Sequence, residues 1–274
     1  MDFKTIIKIS RPRFWLYIAG TYLVGYSFGV PSIFDFSFIF FLFFIYFLLF
    51  ANFFIYGVND LFDWETDRKN PKKTSKEYKL EQKHKSYLKL LLFFSFIISI
   101  ILLFINFSYT LFGLFTIFLF LSYFYSAKPL RFKEKPFVDS LSNALYIMPG
   151  VIGFYQSSGE LPNLLIFLSA WSWATAMHLF SAIPDIKYDK QAGLNTTAIF
   201  FGQKNSLFLT SFLWFLSGFF LLFVYPPLSL VLLVYTIIPL VSYFKKLNLS
   251  KVYWYFPYLN ALVGFLLFLI AIFL

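Results

Sequence analysis

Nine long apolar stretches constrain the fold of this chain of 274 residues more than any other feature. Each stretch is close to the ~20 predominantly apolar residues that a helix needs to cross a bilayer. Only short polar segments separate most of the stretches from one another. The pattern predicts an all-α polytopic membrane protein with spans at residues 14–30, 37–58, 87–105, 109–127, 138–157, 163–183, 206–224, 228–244 and 254–274.

The distribution of positive charge supports this number of spans. The intervening segments on one side contain no Lys or Arg, and all 23 basic residues lie in or beside alternate segments, at 1–13, 59–86, 128–137, 184–205 and 245–253. Positively charged loops stay on the cytoplasmic side. We therefore expect a multi-pass protein of a prokaryotic cell membrane, with its N-terminus in the cytoplasm and its C-terminus outside. No segment is long enough for a further domain, which predicts one transmembrane domain over residues 1–274.

Composition narrows the chemistry that such a bundle can perform. The net charge of +10 does not indicate a nucleic-acid binder, because only 13% of the residues are charged, against the ~25% typical of soluble domains. The absence of cysteine excludes a thiolate nucleophile and a cysteine metal site. His84 and His178 are the only histidines, which excludes a multi-histidine metal site. His178 falls within a span, where a core position is favoured over a cavity lining.

An acidic motif directly follows the second predicted span. Asn59, Asp63 and Asp67 recur every four residues, and residues four apart share one face of a helix. Asp60 lies at the edge of that face. A lone acidic cluster beside a membrane helix is commonly a solvated loop, so the motif needs independent support.

A second acidic pair supplies this support on the same predicted side of the membrane. Asp185 and Asp189, just past the sixth span, are again four residues apart. Adjacent carboxylates repel each other unless a cation intervenes, and Mg²⁺ is commonly held by carboxylates together with substrate phosphates. The two pairs indicate a magnesium-bridged diphosphate, with the remaining charge balanced by basic neighbours: Arg68, Lys128, Arg131, Lys133 and Lys187.

Polar residues at the start of the fifth span form a further group of candidates. Asp139, Ser140, Asn143 and Tyr146 have the spacing of one helix face. An ionisable residue within a span is a functional hypothesis by default. Asp139 lies near the predicted end of the span, where water can solvate it, and Asn143 is a candidate for substrate binding.

The longer motifs resemble those of a known family, the UbiA-type intramembrane prenyltransferases. That family carries two aspartate-rich motifs similar to Asn59-Asp60-x-x-Asp63-x-x-x-Asp67 and Asp185-x-x-x-Asp189. Its approach to the first span resembles Ser10-Arg11-Pro12-Arg13-Phe14-Trp15, and its loop after the fourth span resembles the segment 125–133. Nine helices is also the number in that family, and the resemblance covers nearly the whole chain.

The resemblance implies a central cavity among nine helices, in which Mg²⁺ bridges carboxylates to an isoprenyl diphosphate. Ionisation of the C–O bond leaves an allylic cation, which an acceptor attacks. The implied catalytic residues, which also hold Mg²⁺, are Asp63, Asp67, Asp185 and Asp189. The substrate-binding residues that we predict are Asn59, Asp60, Arg68, Tyr125, Lys128, Arg131, Lys133 and Asn143. Many members have a lysine where this chain has Pro129, so we expect Arg131 and Lys133 to contact the diphosphate instead.

Three further strings resemble the lycopene-elongase branch, whose members add a C5 dimethylallyl unit to a carotenoid. They occupy residues 11–17, 66–73 and 184–197. The predicted partners are thus dimethylallyl or a longer prenyl diphosphate and a lipophilic acceptor, either a carotenoid such as lycopene or a quinone or aromatic precursor. A terpene cyclase on the same scaffold is an alternative. An ion-coupled transporter is disfavoured, because it predicts acids near mid-span and these acids cluster at cytoplasmic ends.

Overall fold

Every regular element in the described part of the chain is a helix, as the apolar pattern predicts. The computed structural model describes residues 3–64 and 80–273, and no β-strand occurs in these two ranges. In chain order the helices are α1 Phe3–Ile9, α2 Thr21–Ser27, α3 Phe38–Phe62, α4 Gln82–Ile105, α5 Tyr109–Phe124, α6 Val138–Leu141, α7 Met148–Ser158, α8 Leu164–Gln191, α9 Thr197–Leu222, α10 Pro226–Phe244 and α11 Leu249–Phe273.

Helical segments occur at all nine predicted spans, although they differ in regularity. Six of the described helices, α3, α4 and α8 to α11, are long and apolar enough to cross a membrane. The first predicted span contains a π-helical turn, Leu16–Gly20, before α2. The fifth is interrupted by the 3-10 turn Ser142–Tyr146 between α6 and α7. The common face expected for Asp139, Ser140, Asn143 and Tyr146 stays a prediction across this turn.

The segment between the sixth and seventh spans is more helical than the sequence indicated. The expected loop at 184–205 contains the end of α8, which continues past Pro184 to Gln191, and the start of α9 at Thr197. Proline lacks an N–H and clashes with the preceding turn, so Ile183–Asp185 forms a 3-10 turn. A kink in α9 lies at Gly202, whose φ is 70°. Residues with a side chain rarely adopt this backbone conformation.

The chain divides into two compact units, each with its own core. The first comprises Met1–Arg131, Met148–Glu160 and Phe268–Leu274, and the second comprises Phe132–Ile147 and Leu161–Leu267.

In the first unit, aromatic rings and glycines bring the helices together. The ring of Tyr22 on α2 stacks on that of Phe40 on α3, with centroids 5.4 Å apart. A Cβ at Gly25 would lie only 2.0 Å from the carbonyl oxygen of Gly150 on α7. The close approach of α2 and α7 therefore requires glycine at this position.

In the second unit, a cluster of large aromatic side chains joins four helices. Trp214 on α9 is fully buried. Its ring contacts Phe180 on α8, Tyr235 on α10 and Phe256 on α11, with centroid distances of 6.0, 5.3 and 5.5 Å. Burying an aromatic side chain stabilises a fold by a few kcal/mol in water, but between membrane helices this packing acts chiefly through van der Waals contact.

Candidate active site

The first acidic motif lies at the end of α3, where the helix stops. Asn59 and Asp60 occupy its last turn, and Asp63 follows with φ −98° and ψ 2°, which is no longer helical. The amide of Asp63 still donates a hydrogen bond to the carbonyl oxygen of Asn59, at 2.9 Å. Of the predicted site residues, Asp67 and Arg68 lie outside the described residues.

Asn59 links the motif to the loop that follows α5. Its Nδ2 donates to Oδ2 of Asp63 at 2.9 Å and to Oγ of Ser126 at 3.0 Å. The bond to Asp63 confirms that residues four apart share a face here. Tyr125 is the capping residue of α5, next to Ser126. The asparagine therefore orients one carboxylate and fixes its distance from the basic loop.

Asp60 is paired with an arginine from the N-terminal segment. The Arg11 guanidinium lies 2.7 Å from Oδ1 of Asp60 and 3.4 Å from Oδ1 of Asn59. It also lies over the ring of Tyr56, 4.7 Å from the centroid. The Asp60 side chain is only 2% exposed, and a buried carboxylate needs such a partner. Asp60 is thus held in place by Arg11.

Asp63 is paired with a second arginine, from the loop after α5. The guanidinium of Arg131 lies 3.2 Å from Oδ1 of Asp63, and the two side chains are 17% and 6% exposed. Both arginines that pair with the motif have a left-handed backbone, with φ of 49° at Arg11 and 44° at Arg131. Such conformations cost of order 1–3 kcal/mol and cluster at functional sites. The surrounding structure therefore holds both guanidinium groups in place at some energetic cost.

A basic cavity of about 330 Å³ lies next to this network. Its walls are formed by Leu61, Phe62, Trp64, Lys85, Lys128 and Arg131. The Nζ of Lys85 lies 3.3 Å from the centroid of the Trp64 ring, a close cation–π contact. Three cationic side chains on one cavity create a site that attracts an anion. Two of them, Lys128 and Arg131, are predicted site residues.

The second acidic motif lies near the end of α8, in the second unit. Asp185 closes the 3-10 turn at Pro184 and caps the short helical segment Ile186–Gln191, in whose first turn Asp189 lies. Both side chains are partly exposed. Lys133 belongs to this unit too, in the 3-10 turn Phe132–Glu134. Asp185 and Asp189 thus lie in the last two turns of α8.

The polar group of the fifth span includes three residues, Asp139, Ser140 and Asn143, that are buried and hydrogen-bonded at a junction between helices. Asp139 is fully buried, so the expected solvation of its carboxylate is wrong. It accepts hydrogen bonds from the amides of Ser140 and Thr197, at 2.7 and 2.9 Å, and from the Thr197 hydroxyl. Asn143 is also buried, and its amide donates to the carbonyl oxygen of Asp139 at 2.7 Å. These contacts join the start of α6 to the start of α9.

Three residues at the first motif were missed in the sequence. Arg11 lies in the segment that resembles the family's approach to the first span, but that segment gives no sign that its guanidinium reaches Asp60. Ser126 carries no charge and belongs to no spacing pattern. Lys85 was grouped with the basic residues that set topology, and only its contact with Trp64 distinguishes it.

The donor atoms of both motifs are suited to Mg²⁺, because they are carboxylate oxygens. Within residues 3–64 and 80–273, no three His, Asp or Glu side chains gather into a ready-made metal cluster. In the first motif, arginines supply the compensating charge.

Comparisons with known proteins agree with this fold. The profile of the UbiA prenyltransferase family matches residues 18–256. The chain is 36% identical over 268 residues to a lycopene elongase/hydratase of Haloarcula japonica, covering 97% of this chain and 90% of that protein. It is equally similar to the lycopene elongase/hydratase of Halobacterium salinarum, covering 96% of this chain and 94% of that protein.

A solved structure shares the fold at lower sequence identity. A UbiA homolog from Archaeoglobus fulgidus, solved with GPP and Mg²⁺ and also with DMAPP and Mg²⁺, is 22% identical to this chain. The match has a TM-score of 0.74 and covers 96% of this chain and 99% of that one. The chain is a multi-pass integral membrane protein, and it belongs to the UbiA prenyltransferase family of enzymes.

Proposed function

We propose that this enzyme transfers a dimethylallyl group from its diphosphate to a polyene such as lycopene, with Mg²⁺ as cofactor. The observation that carries the proposal is the buried carboxylate of Asp63, held by Asn59 and Arg131 beside a basic cavity. The two haloarchaeal relatives are named for elongation of lycopene. The homolog from Archaeoglobus fulgidus was solved with a prenyl diphosphate and Mg²⁺.

In this proposal, the carboxylates of both motifs hold Mg²⁺ and the basic residues hold the diphosphate. Asp63, Asp67, Asp185 and Asp189 are the metal ligands. Bound Mg²⁺ stabilises the negative charge that builds on the departing diphosphate. Substrate contacts are assigned to the remaining predicted residues: Asn59, Asp60, Arg68, Tyr125, Lys128, Arg131, Lys133 and Asn143.

Arg131 has two tasks in this scheme. In a low-dielectric site, the Asp63 carboxylate needs a nearby cation, and Arg131 supplies it. A guanidinium carries five N–H donors, enough to contact a carboxylate and a phosphate together. Fixed donors aimed at a developing charge stabilise the transition state most where water is scarce. Arg131 therefore replaces the family lysine that is absent at Pro129.

The acceptor step follows from the chemistry of a polyene. The C–O bond of the substrate breaks, and diphosphate leaves with the electron pair. A terminal C=C bond of the polyene attacks the allylic carbon and becomes a tertiary cation at its other carbon. The relatives are named for hydration as well as elongation, so we propose that addition of water or loss of a proton ends the reaction. Either ending releases one proton.

The charge distribution supports a cytoplasmic location for both motifs. The first motif continues into a strongly basic segment, and the second is followed by Lys187 and Lys190. Under the positive-inside rule these segments face the cytoplasm. Prenyl diphosphates are charged and water-soluble, so a cytoplasmic diphosphate site allows them to enter from the aqueous side while the polyene enters from the lipid.

Turnover by the purified full-length protein tests the proposal. The assay supplies dimethylallyl, geranyl or longer diphosphates, with lycopene or a quinone precursor, in the presence of Mg²⁺ or of EDTA. We expect diphosphate release and a carotenoid extended by one C5 unit, only with Mg²⁺. Glu81→Gln is a matched control, because Glu81 is an exposed acid paired with Lys83 at 2.9 Å.

Other outcomes contradict separate parts of the proposal. A prenylated quinone with no extended carotenoid would show that the acceptor is wrong. A cyclic hydrocarbon formed without any acceptor would identify a cyclase. If the wild type and Asp63→Ala release diphosphate at the same rate, the assignment of Asp63 to the active site is wrong.

A further inference from the structure

One histidine inside a membrane-spanning helix is not explained by diphosphate binding. His178 lies on α8, seven residues before Asp185. Seven residues correspond to about two helical turns, the last of which is the 3-10 turn Ile183–Asp185. His178 and Asp185 are both partly exposed, whereas Leu179 and Phe180 are fully buried in the core of the second unit. The side chains of His178 and Asp185 are therefore turned away from this core.

The orientation of the imidazole is fixed by a serine whose own position is fixed. Oγ of Ser140 and Nδ1 of His178 are 3.1 Å apart. The backbone of Ser140 donates to the fully buried Asp139 at 2.7 Å, and Asp139 also binds the amide of Thr197 on α9. Ser140 thus stands on a rigid junction between two helices. This contact restrains the ring and therefore the direction of its other nitrogen, Nε2.

The depth of His178 relative to the acidic motif matches the length of the substrate. Seven residues of helix rise about 10 Å, which is comparable to the reach of a diphosphate with its five-carbon chain. With the diphosphate at Asp185, as the proposed function has it, His178 lies on the side of the prenyl chain and not beside the phosphates. Ionisable residues inside membrane spans are rare and mark functional positions.

The proposed reaction requires a proton acceptor at this depth. When the polyene attacks the allylic carbon, a tertiary cation remains on the acceptor, far from the aqueous phase. If water adds to the cation, the oxygen must lose a proton. If no water adds, a neighbouring carbon must lose one. In the proposed function, the carboxylates of the two motifs act on the diphosphate, at the other end of the substrate.

We propose that His178 accepts the proton that ends the transfer reaction. The inference rests on the function proposed above. The C–O bond of the diphosphate breaks, the new C–C bond forms, and the resulting cation either gains a C–O bond to water or forms a new C=C bond. In both cases one proton passes to the imidazole and later to the aqueous phase. Ser140 is a positioning residue, which acts through His178.

Two substitutions of His178 separate proton transfer from packing. His178→Ala removes the ring, and His178→Asn retains a polar group that can bond to Ser140 but cannot accept the proton. Thr175→Val is a control from the same helix, since the Thr175 hydroxyl bonds only to the carbonyl oxygen of Trp171 among the bonds identified for it, at 2.8 Å. Each full-length variant is assayed with dimethylallyl diphosphate, lycopene and Mg²⁺, measuring released diphosphate and the amounts of hydrated and alkene products.

We expect both His178 variants to form elongated product roughly 10²-fold more slowly, while cleavage of the diphosphate declines far less. The ratio of product to diphosphate should therefore fall. Added imidazole should restore part of the product in His178→Ala. Ser140→Ala should change the ratio of hydrated to alkene product, and Thr175→Val should match the wild type.

The opposite results would overturn the inference. If His178→Asn keeps the wild-type ratio of product to diphosphate and the wild-type products, His178 is a packing residue. The Asn variant decides this even where His178→Ala fails to fold. If the wild-type protein releases diphosphate and forms no elongated carotenoid, the proposed function fails, and the role of His178 fails with it.

Discussion

Buried aspartates in the two units are stabilised in opposite ways. At the end of α3, Asp60 and Asp63 are balanced by the guanidinium groups of Arg11 and Arg131. At the start of α6, Asp139 is equally buried, but it binds backbone amides and a hydroxyl group at the junction with α9. The first arrangement compensates charge with charge, and the second satisfies a carboxylate with hydrogen-bond donors from the main chain.

The kind of partner indicates which buried acids are available to bind a ligand. A side-chain cation can move or share its donors when a metal or phosphate arrives. Backbone amides at the start of a helix cannot move without disrupting the helix itself. Burial of an acid inside a membrane bundle is therefore not enough to indicate a ligand. The nature of its partner separates Asp63, which we propose as a ligand, from Asp139, whose partners are main-chain amides and a hydroxyl group.

The largest effect on activity is expected at Asp63, whose partner is a side-chain cation. Asp63→Asn preserves the size of the side chain but removes the charge that would bind Mg²⁺. We expect diphosphate release to fall roughly 10³-fold, because metal and fixed-charge stabilisation of the transition state contributes several kcal/mol. Steady-state assays across Mg²⁺ concentrations measure this loss. An unchanged rate would place Asp63 with Asp139 as a structural residue.

Removal of Arg11 is expected to lower the stability of the protein. Arg11→Met leaves Asp60 buried without the guanidinium, which lies 2.7 Å away in the wild type. Breaking a buried pair from one side costs about 3 kcal/mol or more. Thermal unfolding of the detergent-solubilised protein measures the loss. The double variant Arg11→Met with Asp60→Leu should recover much of it, and no recovery would show that Arg11 acts through Tyr56 or Asn59 instead.

Asp139 should show a smaller loss of stability with a different signature. Asp139→Asn places an amide where two main-chain amides donate, so at least one N–H loses its acceptor. We expect a cost of about 2 kcal/mol. Because no cation pairs with Asp139 among its identified hydrogen bonds, the variant should not alter the dependence of unfolding on salt, whereas Arg11→Met should. If unfolding of the two variants depends equally on salt, Asp60 and Asp139 are not stabilised in the different ways described above.

The apolar pattern predicted the helices well, because each predicted span needed only a count of apolar residues. It failed at Ser142–Tyr146, where a 3-10 turn interrupts the fifth span, and at Thr197, where α9 begins inside an expected loop. Both features depend on Asp139, whose contacts are made between residues 58 positions apart. Sequence spacing describes one helix at a time. It therefore predicted the pair of Asn59 and Asp63, and it missed the pair of Arg11 and Asp60.

Lys85 gives the smallest expected effect and tests whether a basic residue at the membrane surface has a role beyond topology. Its Nζ lies over Trp64 at the edge of the cavity that Lys128 and Arg131 also line. Lys85→Met should raise the KM for the diphosphate by about two- to threefold, because a partly exposed charge is screened by water. Lys89→Met is the matched control, since Lys89 is exposed on the same helix and does not line the cavity.

If both variants give the same KM, Lys85 belongs with the residues that set topology, and the cations that act on the diphosphate are limited to the loop after α5. If only Lys85→Met raises the KM, the group of cations around Asp63 extends to α4.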